Sequence, residues 1–277
     1  MIAIPLAASA ALGVLADEVR FAGGRAFVVG GAVRDALLGR APLDFDVAVE
    51  GERGTVARAA RALGAAGWVA EAVHDRFDTA TVRGPHGLKA DLAATRSERY
   101  PEPGLLPVVT PGVPIEEDLG RRDFPIHAMA VPIGPEGPGT FLLDPWGGEG
   151  DLRRRTIRLL HGRSLADDPT RVFRAARYAA RLGFELDAGF PGALAAAAGS
   201  GSFARISGDR LRRAFAEVLA EENRDVALSI LDRLGVPSLV VDGWEIGAGA
   251  IASLKAPAPP AESWGALLAR QTGEVRE

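Results

Sequence analysis

Apolar residues in this chain come first in short runs separated by glycine and polar clusters, and only later at helical spacing. Residues 26–30 and 44–50 read as strands, 53–66 as an Ala/Arg helix, and 68–73, 79–82 and 88–94 as further short strands. This alternation predicts a small mixed sheet. Residues 1–20 are Ala-rich and moderately apolar and read as an amphipathic opening helix. The Pro- and Gly-rich run 100–114 reads as an exposed loop suited to a lid or a substrate contact. Asp123 is placed to cap a helix over 124–131, with Pro125 in its first turn. A Gly/Pro break at 134–139 then separates that helix from 141–143.

From about Leu165 the pattern is helical. Segments 168–182, 208–221 and 225–234 carry apolar stripes, and the first and last stop at Gly183 and Gly235. The proline-rich run 256–260 reads as a linker before a terminal helix or tail, with Trp244 and Trp264 as packing anchors. The chain therefore reads as an α+β protein without internal repeats. Its expected parts are a mixed-sheet domain over 1–150, a helical region over 151–240 and a short tail over 241–277.

Composition adds boundaries. The 277 residues are 47% hydrophobic and 25% charged, ordinary for a soluble globular chain. A formal net charge of −4 argues against a general nucleic-acid coat and directs attention to local clusters. Lys89 and Lys255 are the lysines, so arginine supplies the rest of the 32 basic residues. Arginine makes planar, bidentate contacts with phosphates and bases that lysine cannot. With no cysteine, disulfides, thiolate zinc sites and cysteine nucleophiles are excluded. The absence fits a reducing cytoplasm. The opening segment lacks a basic secretory start and carries Asp17, Glu18 and Arg20, and no run of about eighteen apolar residues suggests a membrane span.

The chemistry begins at Val28-Val29-Gly30-Gly31-Ala32-Val33-Arg34-Asp35, followed by Leu43-Asp44-Phe45-Asp46-Val47. On a strand, residues two apart share a face, so Asp44 and Asp46 project together. Two adjacent carboxylates repel unless a cation lies between them. Mg²⁺ suits the pair, since it uses one or two carboxylates and takes its other oxygens from water and substrate phosphates. Gly30 and Gly31 let backbone N–H groups approach a polyphosphate at the start of the next helix.

A second constellation is Asp167-Asp168-Pro169-Thr170-Arg171-Val172-Phe173-Arg174-Ala175-Ala176-Arg177-Tyr178. At about 100° per residue, Asp167, Arg171, Arg174, Arg177 and Arg181 fall within roughly 120°, with Asp168 beside them. Val172, Phe173, Ala176, Ala179 and Ala180 lie opposite and should pack. Taken alone, the arginine face also fits a solvated surface whose acidic first turn complements the helix dipole.

Together with Arg121-Arg122-Asp123-Phe124-Pro125-Ile126-His127-Ala128-Met129-Ala130, these two runs resemble, in the same order, the motifs of class II tRNA nucleotidyltransferases and bacterial poly(A) polymerases. The resemblance covers roughly residues 26–220. It implies a DNA polymerase beta-like nucleotidyltransferase head followed by an all-helical neck and body. It also implies that Asp44 and Asp46 hold Mg²⁺ while an RNA 3′-hydroxyl attacks the α-phosphate of a nucleoside triphosphate, with Asp91 a candidate third carboxylate. Gly30, Gly31, Arg34 and Arg122 would then meet the nucleotide. On the neck, Asp168 and Arg171 match the pair that selects the incoming base, and Arg174 and Arg177 match nucleotide-contacting positions. Cytosine and adenine both offer an amino donor beside a ring-nitrogen acceptor, which a carboxylate and an arginine can read without a template.

The implied partners are CTP, ATP and the tRNA 3′ end. The family usually has Glu-Asp at Asp167-Asp168, and Thr and Asn at Pro125 and His127. On an apolar helix His127 reads best as a hydrogen-bonded, half-buried histidine, and His74, His86 and His161 show no ligand spacing. Family members commonly carry a longer helical body that holds tRNA, whereas this chain stops at Glu277, soon after Gly235. A homodimer or another partner is one way to hold the RNA. Three functions stay open: addition of CCA or part of it, addition of A alone or poly(A) synthesis, and nucleotide or RNA binding without turnover.

Overall fold

A computed structural model describes residues 6–42, 44–241, 243, 246, 247 and 251. The chain opens with α1 (Leu6–Phe21), β1 (Arg25–Val29), α2 (Gly31–Leu37), β2 (Asp44–Glu50) and α3 (Thr55–Ala62). Then come β3 (Val69–His74), β4 (Thr79–Arg83), β5 (Lys89–Ala94), β6 (Arg96–Arg99), β7 (Val108–Pro111) and α4 (Ile115–Gly120). Strands β8 (Ala130–Gly134) and β9 (Gly137–Pro138) complete a seven-stranded sheet of order β3-β4-β5-β2-β1-β8-β9. Strands β2 and β5 run parallel within it, while the other pairs are antiparallel.

The period of two decides what each face holds. Along β5, Ala90, Leu92 and Ala94 are buried while Lys89, Asp91 and Ala93 are partly open. On β2, Phe45, Val47 and Val49 join the same core as Leu12, Leu15 and Val19 of α1 and Val56 and Ala60 of α3. Burying a side chain such as Phe45 contributes about 2–3 kcal/mol. The other face is covered at one end by a smaller cluster that includes Phe27, Val29, Ala48, Ile115 and Leu119. Beyond that cluster the sheet presents polar residues instead.

The remainder is α5 (Gly148–Arg154), β10 (Thr156–Ile157), α6 (Ser164–Asp167), α7 (Arg171–Leu182), β11 (Glu185–Leu186), α8 (Phe190–Gly199), α9 (Gly208–Leu219), α10 (Arg224–Arg233) and α11 (Val236–Val240). Helix α7 packs on α9 and α10 through its apolar side, with Val172, Phe173, Ala176 and Ala179 buried. Among the described residues, no helix is long and apolar enough to cross a membrane.

Several expectations need correction. The helix expected over 124–131 is one 3₁₀ turn, Pro125–His127, followed by β8. Phe124, which precedes a proline, is held extended at φ −134° and ψ 146°, and Val131 pairs with Val28 on β1 instead of continuing a helix. The break at 134–139 contains the tight turn between β8 and β9, and Leu143 bridges Ala130. The loop expected over 100–114 is partly a two-stranded ribbon of β6 and β7. The helical half contains one strand pair, with β10 and β11 parallel, and its first long helix starts at Arg171, because Asp168 is extended ahead of Pro169. Trp244, Trp264, residues 256–260 and residues 1–5 of the opening segment lie outside the described residues.

Candidate active site

The turn from β1 into α2 brings the chain back beside Asp46. Gly30 has φ 67° and ψ −129°, a conformation essentially confined to glycine. A Cβ there would lie 3.2 Å from Arg122 Nη1 and 3.5 Å from Asp46 Oδ2. The turn, the Asp46 carboxylate and the Arg122 guanidinium are thus close neighbours. They line a cleft of about 890 Å³ between the polar part of the sheet and α7.

The Asp46 side chain has no hydrogen bond or ion pair among the described residues and opens onto the cleft, and the protein around it, which displaces water, raises its carboxyl above the ordinary value. Arg122 opposes that shift, and Asp91 adds to it. Asp91 lies directly opposite Asp46 in the parallel register. Both its oxygens are engaged, one by Thr81 Oγ1 at 2.6 Å and the other by Lys89 Nζ at 3.0 Å. Asp44, two residues earlier on the same strand, is exposed as Asp46 is, but it does not line the cleft. No group of three or more His, Cys, Asp or Glu residues placed to hold a metal occurs among the described residues. Asp46 with Asp44 nevertheless fits a divalent cation, because an unpartnered carboxylate next to a second negative strand position lacks the charge a cation supplies.

On the head side, Arg34 is 5% exposed and donates from Nε and Nη2 to Asp35 at 2.9 and 2.8 Å. Its Nη1 donates to His127 Nε2 at 2.8 Å. Arg122 donates to Asp118 at 3.0 Å and to the His127 carbonyl at 3.3 Å. Arg121 donates to the same Asp118 and to Glu98. Although burial pushes the Asp118 carboxyl up, Arg122 and Arg121 hold it below the usual range.

The α7 side is equally committed. Asp168 Oδ1 accepts from Thr170 N at 3.0 Å, Thr170 Oγ1 at 2.6 Å and Arg210 Nη2 at 2.8 Å. Arg171 donates to Ser164 Oγ at 2.6 Å and reaches the Arg121 carbonyl at 2.8 Å. Arg174 Nε donates to Asp123 at 2.6 Å. Arg177 bonds Glu217 and Glu221, and Arg181 also bonds Glu221. The arginine face of α7 is therefore held by hydrogen bonds and ion pairs to other elements, with Arg174 and Arg181 still partly open to solvent. Asp167 belongs to α6, where Arg163 meets it at 3.3 Å.

Of the residues singled out in the sequence, Gly30, Gly31, Arg34, Asp46, Asp91, Arg122, Asp168, Arg171, Arg174 and Arg177 line one cleft. Asp44 and Asp167 lie outside it. Sequence reasoning gave no role to Asp118, Glu98 and Arg210, which organise the cleft from other elements, and held Tyr100 only as the start of a loop suited to a substrate contact. Tyr100 lies 6.0 Å from the Arg171 guanidinium and donates its hydroxyl to Glu98 at 3.0 Å. Burial and Glu98 push that hydroxyl upward, so it stays protonated. The i, i+4 spacing of Asp123 and His127 was a usable signal, but the contacts of Arg210 are set by long-range packing.

The Poly A polymerase head domain family matches residues 26–158. A CC-adding tRNA nucleotidyltransferase of Deinococcus radiodurans is 42% identical over 220 residues, which are 77% of this chain and 54% of that protein. An A-adding tRNA nucleotidyltransferase of Geobacter sulfurreducens is 39% identical over 225 residues, 81% of this chain and 25% of that protein. The chain thus spans about half the length of the first relative and a quarter of the second. A solved tRNA nucleotidyltransferase complexed with a primer tRNA and an incoming ATP analog superposes with a TM-score of 0.71 at 31% identity, covering 86% of this chain and 65% of that one.

Proposed function

The chain belongs to the tRNA nucleotidyltransferase and poly(A) polymerase family, and from that premise we propose that it extends the 3′ end of tRNA with C, A or both, taken from CTP and ATP. In this reading residues 1–150 form the catalytic head, 151–240 the neck and part of a body, and 241–277 the tail. The observation that carries the reading is the convergence of Gly30, Arg34, Asp46 and Arg122 from the head with Asp168, Arg171, Arg174 and Arg177 from the neck on one cleft.

Asp44 and Asp46 would hold a divalent cation, Mg²⁺ in our reading, which supplies charge neutralisation at the α-phosphate when bound. The guanidiniums of Arg34 and Arg122 stand at the glycine turn, where a triphosphate's negative charge would be met. The RNA 3′-hydroxyl gives up its proton to solvent as its oxygen forms a bond to the α-phosphorus, the bond from that phosphorus to the bridging oxygen breaks, and pyrophosphate leaves. Positioning and charge do most of the work in such a transfer.

Base choice falls to the neck. The three donors on Asp168 Oδ1 leave Oδ2 to accept from an exocyclic amino group. Arg171 keeps its Nε–H without a partner among the described residues, suited to a ring nitrogen. Uracil and guanine present a carbonyl and a ring N–H instead, so acceptor would meet acceptor and donor would meet donor.

The test supplies Mg²⁺ and tRNAs lacking three, two or one of the terminal CCA nucleotides, each with a single labelled nucleotide. Incorporation of C, of A or of both assigns the specificity. A chain that binds nucleotide yet incorporates none into any of these tRNAs is a binding module, and the proposal falls.

A further inference from the structure

One buried residue of the cleft is not used by this chemistry. His127 is 5% exposed and stands between the head and the neck. Its Nδ1 lies 3.0 Å from Asp123 Oδ1, and its Nε2 lies 2.8 Å from Arg34 Nη1. A guanidinium only donates, so Nε2 must accept, and the carboxylate only accepts, so Nδ1 must carry the proton. The partners fix the neutral Nδ1–H tautomer. They also exclude the alternatives, because both ring nitrogens are engaged and neither can ligate a metal or take a proton from substrate without breaking a buried bond.

We infer that His127 is a positioning residue for nucleotide binding: it ties Arg34, which faces the incoming nucleotide, to Asp123 and through it to Arg174 of the neck. The inference rests on the proposed function only in assigning Arg34 to the nucleotide. Asp123 accepts from both His127 and Arg174, one on each oxygen. Arg34 is in turn held between Asp35 and His127. The result is a continuous path Arg174, Asp123, His127, Arg34, Asp35 that crosses from α7 through the 3₁₀ turn to α2. The His127 ring is further confined edge-on by Tyr178 at 4.3 Å and Phe124 at 5.8 Å between centroids.

Charged groups face this ring from each side. Asp123 favours an imidazolium, whereas Arg34 and Arg174 disfavour it, Asp46 lies within electrostatic range, and Arg122 holds the His127 carbonyl. Protonating Nε2 would set an N–H against the Arg34 N–H and abolish the bond. Burial acts the same way, so titration of His127 falls below the ordinary histidine range.

The experiment measures the affinity of the intact chain for CTP and ATP by calorimetry, with incorporation kinetics alongside, in wild type, His127→Gln and His127→Phe. Glutamine offers an oxygen near the position of Nε2, while phenylalanine keeps the ring and removes both bonds. At neutral pH, glutamine should hold affinity within about twofold and phenylalanine should weaken it about tenfold, with kcat at saturating nucleotide nearly unchanged, as expected when a charged donor loses its buried acceptor. As pH falls below the ordinary histidine range, wild-type affinity should fall more steeply than that of His127→Gln. That comparison decides the matter even where His127→Phe does not fold, since the nucleotide's own titration is common to both proteins. Wild-type affinity in His127→Phe, or identical pH profiles for wild type and His127→Gln, overturns the inference. A wild type that binds neither nucleotide overturns the proposed function instead.

Discussion

Arg210 Nη2 donates to Asp168 Oδ1 at 2.8 Å, while its Nη1 holds the carbonyl of Gly104 at 2.7 Å. One arginine on α9 thus orients the carboxylate proposed to read the base and fastens the turn between β6 and β7 to the helical region. The Arg210→Met variant should let the Asp168 carboxylate rotate. Discrimination of CTP and ATP against UTP should fall about tenfold, the scale of one charge-assisted hydrogen bond, with a smaller change in the rate for the correct nucleotide. Competition between labelled nucleotides reads this directly, and an unaltered ratio contradicts the role.

Gly104 itself is tightly constrained. It has φ +80°, and a Cβ there would sit 2.3 Å from the Ser202 carbonyl oxygen. Its N–H also donates to the Ala166 carbonyl at 2.9 Å. Gly104→Ala should destabilise the protein by about 2–4 kcal/mol through backbone strain and displaced packing. Thermal unfolding of the variant gives the answer, and a melting temperature equal to wild type would contradict the docking of this turn.

What the sequence disclosed follows from range. The strand alternation of β2 and β5 and the arginine spacing of α7 are local, so they placed Asp46, Asp91 and Arg174 near their true surroundings. Pro125 does occupy a first helical turn, that of the 3₁₀ segment, but the pairing of Val131 with Val28 continues the chain as a strand. Arg210 and Glu221 act through partners about forty or more residues away, which no local pattern announces, whereas Asp118 meets Arg121 and Arg122 at i+3 and i+4, a local spacing that was legible in the sequence. Asp44 shares a strand face with Asp46 by periodicity, yet the cleft closes around Asp46 alone.

Acid stability follows from the buried carboxylates. Burial pushes the Asp123 carboxyl up, but His127 and Arg174 outweigh it and hold the carboxyl far below its ordinary value. A depressed folded-state carboxyl contributes stability above the unfolded value near pH 4 and loses it as pH falls toward the folded one, each unit of depression being worth about 1.4 kcal/mol. Melting temperature should therefore drop steeply below about pH 4, the unfolded carboxyl range. Asp123→Asn should be less stable at neutral pH by about 3 kcal/mol, because it leaves Arg174 without its buried partner, and its acid limb should be flatter. Parallel limbs for the two proteins would refute this assignment.

Glu221 makes the corresponding link on the far side of α7, accepting from Arg177 and Arg181. Glu221→Gln should lower stability by about 1–2 kcal/mol and weaken nucleotide affinity by no more than about threefold, since it loosens Arg177 and Arg181 while Glu217 still holds the Arg177 guanidinium in the cleft. Denaturant unfolding with parallel nucleotide titration separates the two effects, and a loss of affinity without a loss of stability would contradict the bracing role.

The central claim, that the cleft around Asp46 transfers nucleotides to an RNA end, is tested most directly by labelled-nucleotide incorporation into tRNAs lacking three, two or one of the terminal CCA nucleotides, comparing wild type with Asp46→Asn at saturating Mg²⁺ on the tRNA that wild type extends. Wild type should incorporate, and the variant should lose more than about a hundredfold in rate, since even groups that only support metal ligands are worth up to that much. The variant's melting temperature should stay close to that of wild type, because the Asp46 side chain opens onto the cleft and bonds no other described residue. Incorporation by Asp46→Asn at the wild-type rate would contradict the account.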